Sequence, residues 1–168
     1  MPRMNSFSPD PTCFEISTSK RADDCCLIPK PYDNQQVSDC LLSMGNPTDA
    51  TEKYKCLVAC IAKKLNVYKD NNLDREAALR LFNLKIGSNP NFAPIIGSTF
   101  DQCYRQLSVN MAYEQSNPPN CSALPMLLLN CLQSSLFLNC PTGVWKVGSE
   151  CDELKRKLTK GCPFVAIS

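Results

Sequence analysis

The cysteine thiols are the side chains of this sequence with the most evident capacity for chemistry. They stand at Cys13, Cys25, Cys26, Cys40, Cys56, Cys60, Cys103, Cys121, Cys131, Cys140, Cys151 and Cys162. An even number of cysteines at this density is typical of an oxidising, extracellular compartment. A zinc site is disfavoured, because the sequence has no C-x-x-C pair and no histidine to complete the ligand set. We therefore expect a secreted protein in which every cysteine is oxidised, with no metal and no free thiol nucleophile.

The lack of histidine also removes the usual general base of hydrolytic enzymes. Ser-His-Asp and Cys-His catalysis both need an imidazole. The remaining carboxylate groups are Asp23-Asp24 and the cluster of Glu150, Asp152 and Glu153, which fit solvated surface charge or helix capping. We expect no enzymatic activity and no cofactor, and a secreted hydrolase is the least favoured functional class.

The segment Asp70-x-Asn72-x-Asp74 has the spacing that begins a calcium-binding loop. Arg75 stands at the position where such a loop requires glycine, and Leu81 at the position of the bidentate glutamate. We therefore interpret the segment as a polar loop whose last residue caps the next helix.

Charge and hydropathy argue against a nucleic-acid-binding protein and against a membrane-spanning one. The chain has 168 residues, a net charge of +2 and no cluster of basic residues interleaved with aromatic ones, so no nucleic-acid partner is expected. The longest apolar run, Leu124–Leu138, contains Asn130 and Gln133 and is shorter than the roughly 20 apolar residues that span a membrane. No apolar signal segment follows Met1, so we interpret the sequence as a mature secreted chain.

The elements that must position these residues are helical. Apolar residues recur with helical spacing over Thr48–Leu65, and Asp49 with Glu52 predicts a capping box at its start. Caps, glycine stops and apolar spacing predict further helices from Asp33 to Met44, Asp74 to Ile86, Ser98 to Glu114, Ser122 to Leu138, and Ser149 to Gly161. The sequence therefore predicts an all-α fold of about seven or eight helices.

Two cysteine pairs constrain the disulfides. Cys56 and Cys60 lie one helical turn apart on the same face, so their side chains are too parallel to bond each other. Cys25 and Cys26 are adjacent, and bonding between neighbours strains the intervening peptide. Each of the four cysteines is therefore expected to reach a separate partner.

Two short cysteine gaps stand out, Cys56-x3-Cys60 and Cys131-x8-Cys140, with Cys103 between them and Cys26 about thirty residues upstream of the first. This arrangement resembles the six-cysteine pattern of insect odorant-binding proteins. Cys121, Cys151 and Cys162, with proline directly after Cys140, make the sequence similar to the mosquito-like Plus-C subfamily. The resemblance extends from Cys13 to Cys162.

The resemblance implies a disulfide pairing. It would join Cys26 (or Cys25) to Cys60, Cys56 to Cys131, and Cys103 to Cys140. The other six cysteines would form three more bonds, whose pairing the sequence leaves open.

The resemblance also implies an architecture. The whole chain, 1–168, would form a single domain, a compact disulfide-stapled bundle around an apolar cavity. An N-terminal extension would cover 1–24 and a C-terminal extension 141–168. The C-terminal extension contains apolar residues such as Trp145 and Phe164, so we expect it to be structural and to close part of the interior.

The implied function is a secreted carrier that solubilises small hydrophobic odorants in the lymph of the chemosensory sensillum and delivers them to receptors. Other partners would be the odorant receptor or other odorant-binding proteins, and the state is left open between monomer and homodimer. The alternative is a structural or protein-interaction module with a solid core and no ligand cavity.

We expect the cavity to be walled mainly by the predicted helices Thr48–Leu65, Asp74–Ile86, Ser98–Glu114 and Ser122–Leu138. The candidate lining residues are inward positions on amphipathic faces. They are Leu57, Ile61, Leu79, Phe82, Ile96, Phe100, Leu107, Met111, Leu127 and Leu128. Hydroxyl groups for a ligand could come from Tyr54, Tyr104, Tyr113, Ser134 and Ser135.

Overall fold

Helices form almost all of the regular structure in the computed structural model, which describes residues 10–15, 17–45 and 49–168. Within these ranges the α-helices are α1 (Ala22–Cys25), α2 (Asn34–Ser43), α3 (Ala50–Lys64), α4 (Arg75–Lys85), α5 (Ala93–Arg105), α6 (Ser108–Ser116), α7 (Leu124–Leu138) and α8 (Ser149–Thr159). Short 3₁₀ turns cover Pro11–Phe14 and Phe164–Ala166. The predicted all-α fold is confirmed. The first residues of the N-terminal extension, 1–9, and the predicted helix start at Thr48 lie outside the described ranges.

Helix α7 forms the centre of the molecule. It packs against α3, α5, α8 and the C-terminal 3₁₀ turn, and nearly all of its residues are buried. Leu132, Leu136 and Phe137 are completely inaccessible to solvent. Pro125 occupies the first turn, where a missing N–H leaves no hydrogen bond broken. Among the described helices, none combines the length and hydropathy needed to cross a membrane.

Aspartate caps fix the starts of the helices around α7. Asp33 accepts a hydrogen bond from the Gln36 N–H and donates its own N–H to the Gln36 side chain, which completes the predicted capping box. Asp49 accepts from the Thr51 N–H at 2.8 Å. The predicted box with Glu52 is absent from this described start, because the Glu52 carboxylate pairs instead with Lys55 at 2.7 Å.

The predicted helix from Ser98 to Glu114 is wrong at its start. Helix α5 begins at Ala93, five residues before the predicted start, and Pro94 lies in its first turn. A proline signals a loop and a first helical turn equally well, because neither needs its N–H. The completely buried Phe92 lies directly before the helix.

The same predicted helix is also interrupted. Helix α5 ends at Arg105, and α6 begins at Ser108. Between them, Leu107 is completely buried, and its carbonyl accepts the Met111 N–H at 2.8 Å. Leu107 therefore belongs to the core at this break, whereas no described residue of α6 itself is buried.

A small antiparallel hairpin joins α3 to α4. Its strands are β1 (Tyr68–Lys69) and β2 (Asn72–Leu73), with Tyr68 opposite Leu73. Asp70 and Asn71 form the turn with φ values of 55° and 62°, a conformation that Asp and Asn tolerate better than most residues. Asp74 then accepts a hydrogen bond from the Ala77 N–H, as the predicted helix cap.

All twelve cysteines are joined in disulfides, and no cysteine is free. Cys56 and Cys60 reach separate partners, Cys121 and Cys40, and the adjacent Cys25 and Cys26 bond Cys151 and Cys140. The six bonds are Cys13–Cys162, Cys25–Cys151, Cys26–Cys140, Cys40–Cys60, Cys56–Cys121 and Cys103–Cys131.

The pairing that the resemblance implied is wrong in its residues. Neither Cys26–Cys60, nor Cys56–Cys131, nor Cys103–Cys140 is formed. The implied pairing joins the first cysteine of a set of six to the third, the second to the fifth, and the fourth to the sixth. The structure has this same order of bonds in a different set of six, namely Cys40, Cys56, Cys60, Cys103, Cys121 and Cys131. Helix α2 packs along α3 and brings Cys40, rather than Cys26, to Cys60.

The two ends of the chain are held together. Cys13–Cys162 and Cys25–Cys151 tie the N-terminal segment to either end of α8. The Ala22 N–H also donates to the Ile167 carbonyl at 2.8 Å. The division into a domain with extensions at 1–24 and 141–168 stays a prediction.

Candidate functional site

An apolar cavity of about 160 Å³ lies between α2, α3, α4 and α7. Its walls come from those helices, from the segment before α2 and from the hairpin. The lining residues are Pro31, Tyr32, Val37, Tyr54, Leu57, Val58, Ile61, Ala62, Leu65, Val67, Leu73, Ala78, Leu81, Phe82, Pro125, Leu128 and Leu129.

Helix α3 provides the longest wall of the cavity. Leu57, Val58, Ile61 and Ala62 follow one another at the spacing of a single helical face, and Leu65 continues that face one turn later. Lys53, Lys63 and Lys64 of the same helix are exposed to solvent. The amphipathic pattern of the sequence therefore positions this wall directly.

The cavity lining carries no formal charge among the described residues. Its polar side-chain groups are the phenols of Tyr32 and Tyr54. Burial raises the pKa of Tyr54 above its ordinary value of 10.0, and the neighbouring Tyr32 raises it further. The Tyr54 hydroxyl therefore stays protonated at physiological pH. A phenol hydroxyl can donate or accept a hydrogen bond. The site is chemically suited to burying apolar surface beside one or two neutral polar atoms.

One side of the cavity is closed by the chain that leads into α2. Pro31 and Tyr32 precede the helix, Val37 lies in its first turns, and Cys40–Cys60 fastens the helix to α3. We expected the C-terminal extension to do this, but no described residue after Leu129 lines the cavity. The extension packs into the core on other faces of α7 instead.

The structure brings some of the candidate lining residues together. Leu57, Ile61, Phe82 and Leu128 line the cavity. Ile96, Phe100, Leu107 and Leu127 are buried in the hydrophobic core and do not line the cavity, and Leu79 is partly buried against that core. Met111 lies in a separate groove. A role for any of them in ligand binding stays a prediction.

The candidate hydroxyl groups are dispersed. Tyr54 lines the cavity, whereas Tyr113 is 66% exposed. The Ser134 hydroxyl is buried without a hydrogen-bond partner, and the Ser135 hydroxyl lies 3.9 Å from the sulfur of Cys103. Sequence reasoning missed Tyr32, because a tyrosine in an irregular segment between a proline and a helix cap gives no periodic signal.

A second and larger space of about 470 Å³, called the groove below, also borders the hairpin. Most of the residues that line it have polar side chains, and a smaller number are apolar. The lining residues are Lys63, Tyr68, Asn71, Asn72, Leu73, Tyr104, Met111, Glu114, Gln115, Pro118, Pro119, Asn120, Ser122 and Leu124.

One cluster has the residue types of a metal site, but its cysteines are not free to bind a metal. Ligand-type atoms of Glu52, Cys56 and Cys121 lie within 4.8 Å of one another. Both sulfurs belong to the disulfide Cys56–Cys121, whereas metals bind the thiolate form of cysteine. This cluster is therefore part of the disulfide framework.

Comparison with known proteins identifies the family. The AgamOBP47-like family model matches residues 43–157, which is more than half of the chain. General odorant-binding protein 67 of Anopheles gambiae is 28% identical over 159 residues, covering 89% of this chain and 78% of the relative. Odorant-binding protein 47 of the same species is 21% identical over 178 residues, covering 95% and 76%. These relatives support a carrier role, in a family of non-enzymatic carriers. The chain belongs to the AgamOBP47-like family of insect odorant-binding proteins, of the Plus-C type.

Proposed function

We propose that this protein is a secreted, non-enzymatic carrier that binds small, uncharged hydrophobic molecules in the cavity between α2, α3, α4 and α7. The observation that supports the proposal is the cavity lining, which is apolar except for two tyrosine hydroxyls. A charged ligand would lose its hydration there without gaining an opposite charge, at a cost of several kcal/mol. A neutral ligand loses little and gains the hydrophobic effect, roughly 25 cal/mol per Å² of buried surface.

The cavity volume limits the size of the ligand. A cavity of about 160 Å³ is close to an engineered apolar cavity of roughly 150 Å³ that takes up benzene. A single ring with one or two substituents, about eight heavy atoms, would therefore fill it. At the usual efficiency per atom, such a ligand would bind with a dissociation constant on the order of 10–100 µM.

The disulfide content supports a location outside the cell. Six bonds of this kind persist in oxidising compartments and are rare where thiols are kept reduced. We propose the aqueous lymph of a chemosensory sensillum, with delivery of the ligand to an odorant receptor as the carrier's role. Whether the carrier acts as a monomer or a homodimer, or meets other odorant-binding proteins, is a further prediction.

A pair of alanines on α3 provides a matched test of the cavity. Ala62 lines the cavity, whereas Ala59 is equally buried one turn away and does not line it. Phenol binding would be measured by calorimetry for the wild type, Ala62→Leu and Ala59→Leu, with near-UV circular dichroism to verify the fold. We expect Ala62→Leu to weaken binding at least tenfold, because the new side chain occupies the cavity.

The Ala59→Leu control carries a similar increase in volume without entering the cavity. It is expected to lower stability by about 1–3 kcal/mol while keeping phenol affinity within about twofold of the wild type. A wild-type protein that binds neither phenol nor benzene at millimolar concentration would reject the carrier proposal and favour the interaction module.

A further inference from the structure

The apolar cavity and the polar groove lie back to back. Leu73, on β2, contributes to the lining of both. The adjacent residues Val67 and Tyr68 divide between the two spaces, with Val67 on the cavity side and Tyr68 on the groove side. At the start of α7, Leu124 lines the groove and Pro125 the cavity. At Leu73, therefore, a single side chain separates the two spaces.

The hairpin that carries Leu73 is short. The hairpin consists of two-residue strands, and beyond it the Asp74 N–H donates to the Val67 carbonyl at 2.8 Å. The turn residues Asp70 and Asn71 are exposed to solvent. A leucine side chain has alternative staggered rotamers, and a change of rotamer at Leu73 would join the two spaces without moving a helix.

We propose that the groove is the second half of a single binding tract. A ligand longer than one ring would place its apolar tail in the cavity and its polar head in the groove, with its chain passing Leu73. This inference rests on the proposed function of the cavity and adds a ligand class to it, namely neutral amphiphiles with an unbranched apolar tail.

The groove chemistry favours an uncharged head. Lys63 and Glu114 give the groove one positive and one negative group. The Glu114 carboxylate already accepts the Ser122 hydroxyl at 2.6 Å and the Ala123 N–H at 2.9 Å, which fixes it beside the start of α7. The remaining polar groups include the hydroxyls of Tyr68 and Tyr104, which donate to or accept from an alcohol, ester or amide.

The sizes of the two spaces fit this division. The cavity holds about 160 Å³, which one ring fills, while the groove offers about 470 Å³ more. 1-Decanol has about eleven heavy atoms, more than a cavity of this size accommodates. Its hydroxyl end would therefore extend past Leu73 into the groove.

Two exposed glutamines allow a matched test of groove occupancy. Gln115 on α6 lines the groove, whereas Gln102 on α5 is also exposed and lies outside both lining sets. Dissociation constants for phenol and for 1-decanol would be measured with the wild type, Gln115→Trp and Gln102→Trp. We expect Gln115→Trp to weaken 1-decanol binding at least tenfold and to leave phenol within twofold, with Gln102→Trp matching the wild type for both.

The outcomes separate this inference from the proposed function. Phenol binding by all three proteins, with equal 1-decanol affinity in the two tryptophan variants, would overturn the groove and leave the carrier intact. Failure of the wild type to bind phenol would overturn both the groove inference and the carrier proposal. As a second measurement, Leu73→Ala should raise the ratio of 1-decanol to phenol affinity at least threefold. An unchanged ratio would show that the tract does not pass this residue.

Discussion

The side-chain carbonyl oxygen of Asn130, on α7, accepts a hydrogen bond of 2.8 Å from the backbone N–H of Phe164. The Phe164 ring also packs edge-on against Phe137, with ring centroids 6.0 Å apart. These contacts join the C-terminal segment to the central helix on a face that does not line the cavity. The C-terminal extension is therefore a part of the core rather than a cover for the ligand.

Removing this link should affect stability alone. Asn130→Ala leaves the Phe164 N–H without its acceptor and is expected to lower the free energy of unfolding by about 1–2 kcal/mol. That corresponds to a fall of roughly 2–8 °C in the unfolding temperature of a chain of this size. Phenol affinity should stay within about twofold. Thermal unfolding without reductant and calorimetry would measure the two quantities.

Asn83→Ala is the control for this substitution, because Asn83 is exposed on α4 and away from the cavity. It should change stability by less than about 0.5 kcal/mol. A loss of phenol affinity in Asn130→Ala at unchanged stability would contradict the placement of the C-terminal segment in the core.

Disulfide mapping tests the corrected pairing. Proteolysis of the unreduced protein, with cleavage at Leu57 between Cys56 and Cys60, should release a peptide that joins Cys40 to Cys60 and another that joins Cys56 to Cys121. Partial reduction is needed to assign the adjacent Cys25 and Cys26. Recovery of Cys60 joined to Cys26 would restore the original pairing and would conflict with the packing of α2 on α3.

The sequence could not distinguish these pairings, because two successive gaps are nearly equal. Cys121-x9-Cys131 and Cys131-x8-Cys140 differ by one residue, so either gap satisfies the same spacing pattern. The choice depends on which helices pack together, and that is a tertiary property. The separate partners of Cys56 and Cys60 were predictable, since they follow from the geometry of a single helix.

The helices and the cavity differ in how far the sequence predicts them. Amphipathic spacing located α3 and α4 to within about two residues and α7 over its observed span. The same spacing marked both Phe82 and Phe100 as inward, although Phe82 alone of the two lines the cavity. A void arises where several elements fail to fill a space together. The position of the void therefore cannot be predicted from the spacing of apolar residues along a single helix.

Two disulfides should differ in their effect on ligand binding. Cys40–Cys60 closes a separation of 20 residues and holds α2, which carries Val37 over the cavity. Replacing both cysteines with serine should lower stability by about 3 kcal/mol and weaken phenol binding about fivefold or more.

The matched control is the double serine variant of Cys13–Cys162. Its two cysteines are 149 residues apart in sequence, but Cys25–Cys151 already joins the same N-terminal and C-terminal segments nearby. The bond therefore closes roughly two dozen residues of additional loop, and its loss should also lower stability by about 3 kcal/mol. Phenol affinity should not change. Equal loss of affinity in both variants would contradict a specific role for α2 in closing the cavity. Denaturant unfolding and calorimetry would measure both effects.

The tyrosines should contribute polar selectivity. Tyr54→Phe removes one of the two hydroxyls of the cavity and keeps the ring. We expect phenol to bind about threefold to tenfold more weakly, from the loss of about 1 kcal/mol of hydrogen bonding, while benzene affinity is retained. Calorimetry with both ligands would measure the difference. An equal reduction for benzene and phenol would indicate a change in cavity shape instead.

Ligand affinity should be nearly independent of pH between about 5 and 8. The chain has no histidine, and no described lining residue is a carboxylate or an amine. Glu114 lines the groove rather than the cavity, and Arg156 holds the pKa of the exposed Glu153 below its ordinary value, by a hydrogen bond and by its charge. Titrations of phenol across this range would measure the dependence. A steep loss of affinity centred near pH 6.5 would contradict it and would require a buried carboxylate of raised pKa near the ligand.

The contribution of Tyr54 to the free energy of unfolding should change with pH only in the alkaline range. Its pKa is raised in the folded protein, mainly by burial and further by Tyr32, so folding favours the protonated phenol. Above the ordinary value of 10.0 the unfolded chain ionises while the folded chain keeps its proton. The contribution is therefore fully present below pH 10 and is lost as the pH rises toward the folded pKa. Denaturant unfolding at pH 9 and 11 should show a smaller fall in stability for Tyr54→Phe than for the wild type. Equal falls would mean that Tyr54 ionises as readily in the folded protein as in the unfolded chain.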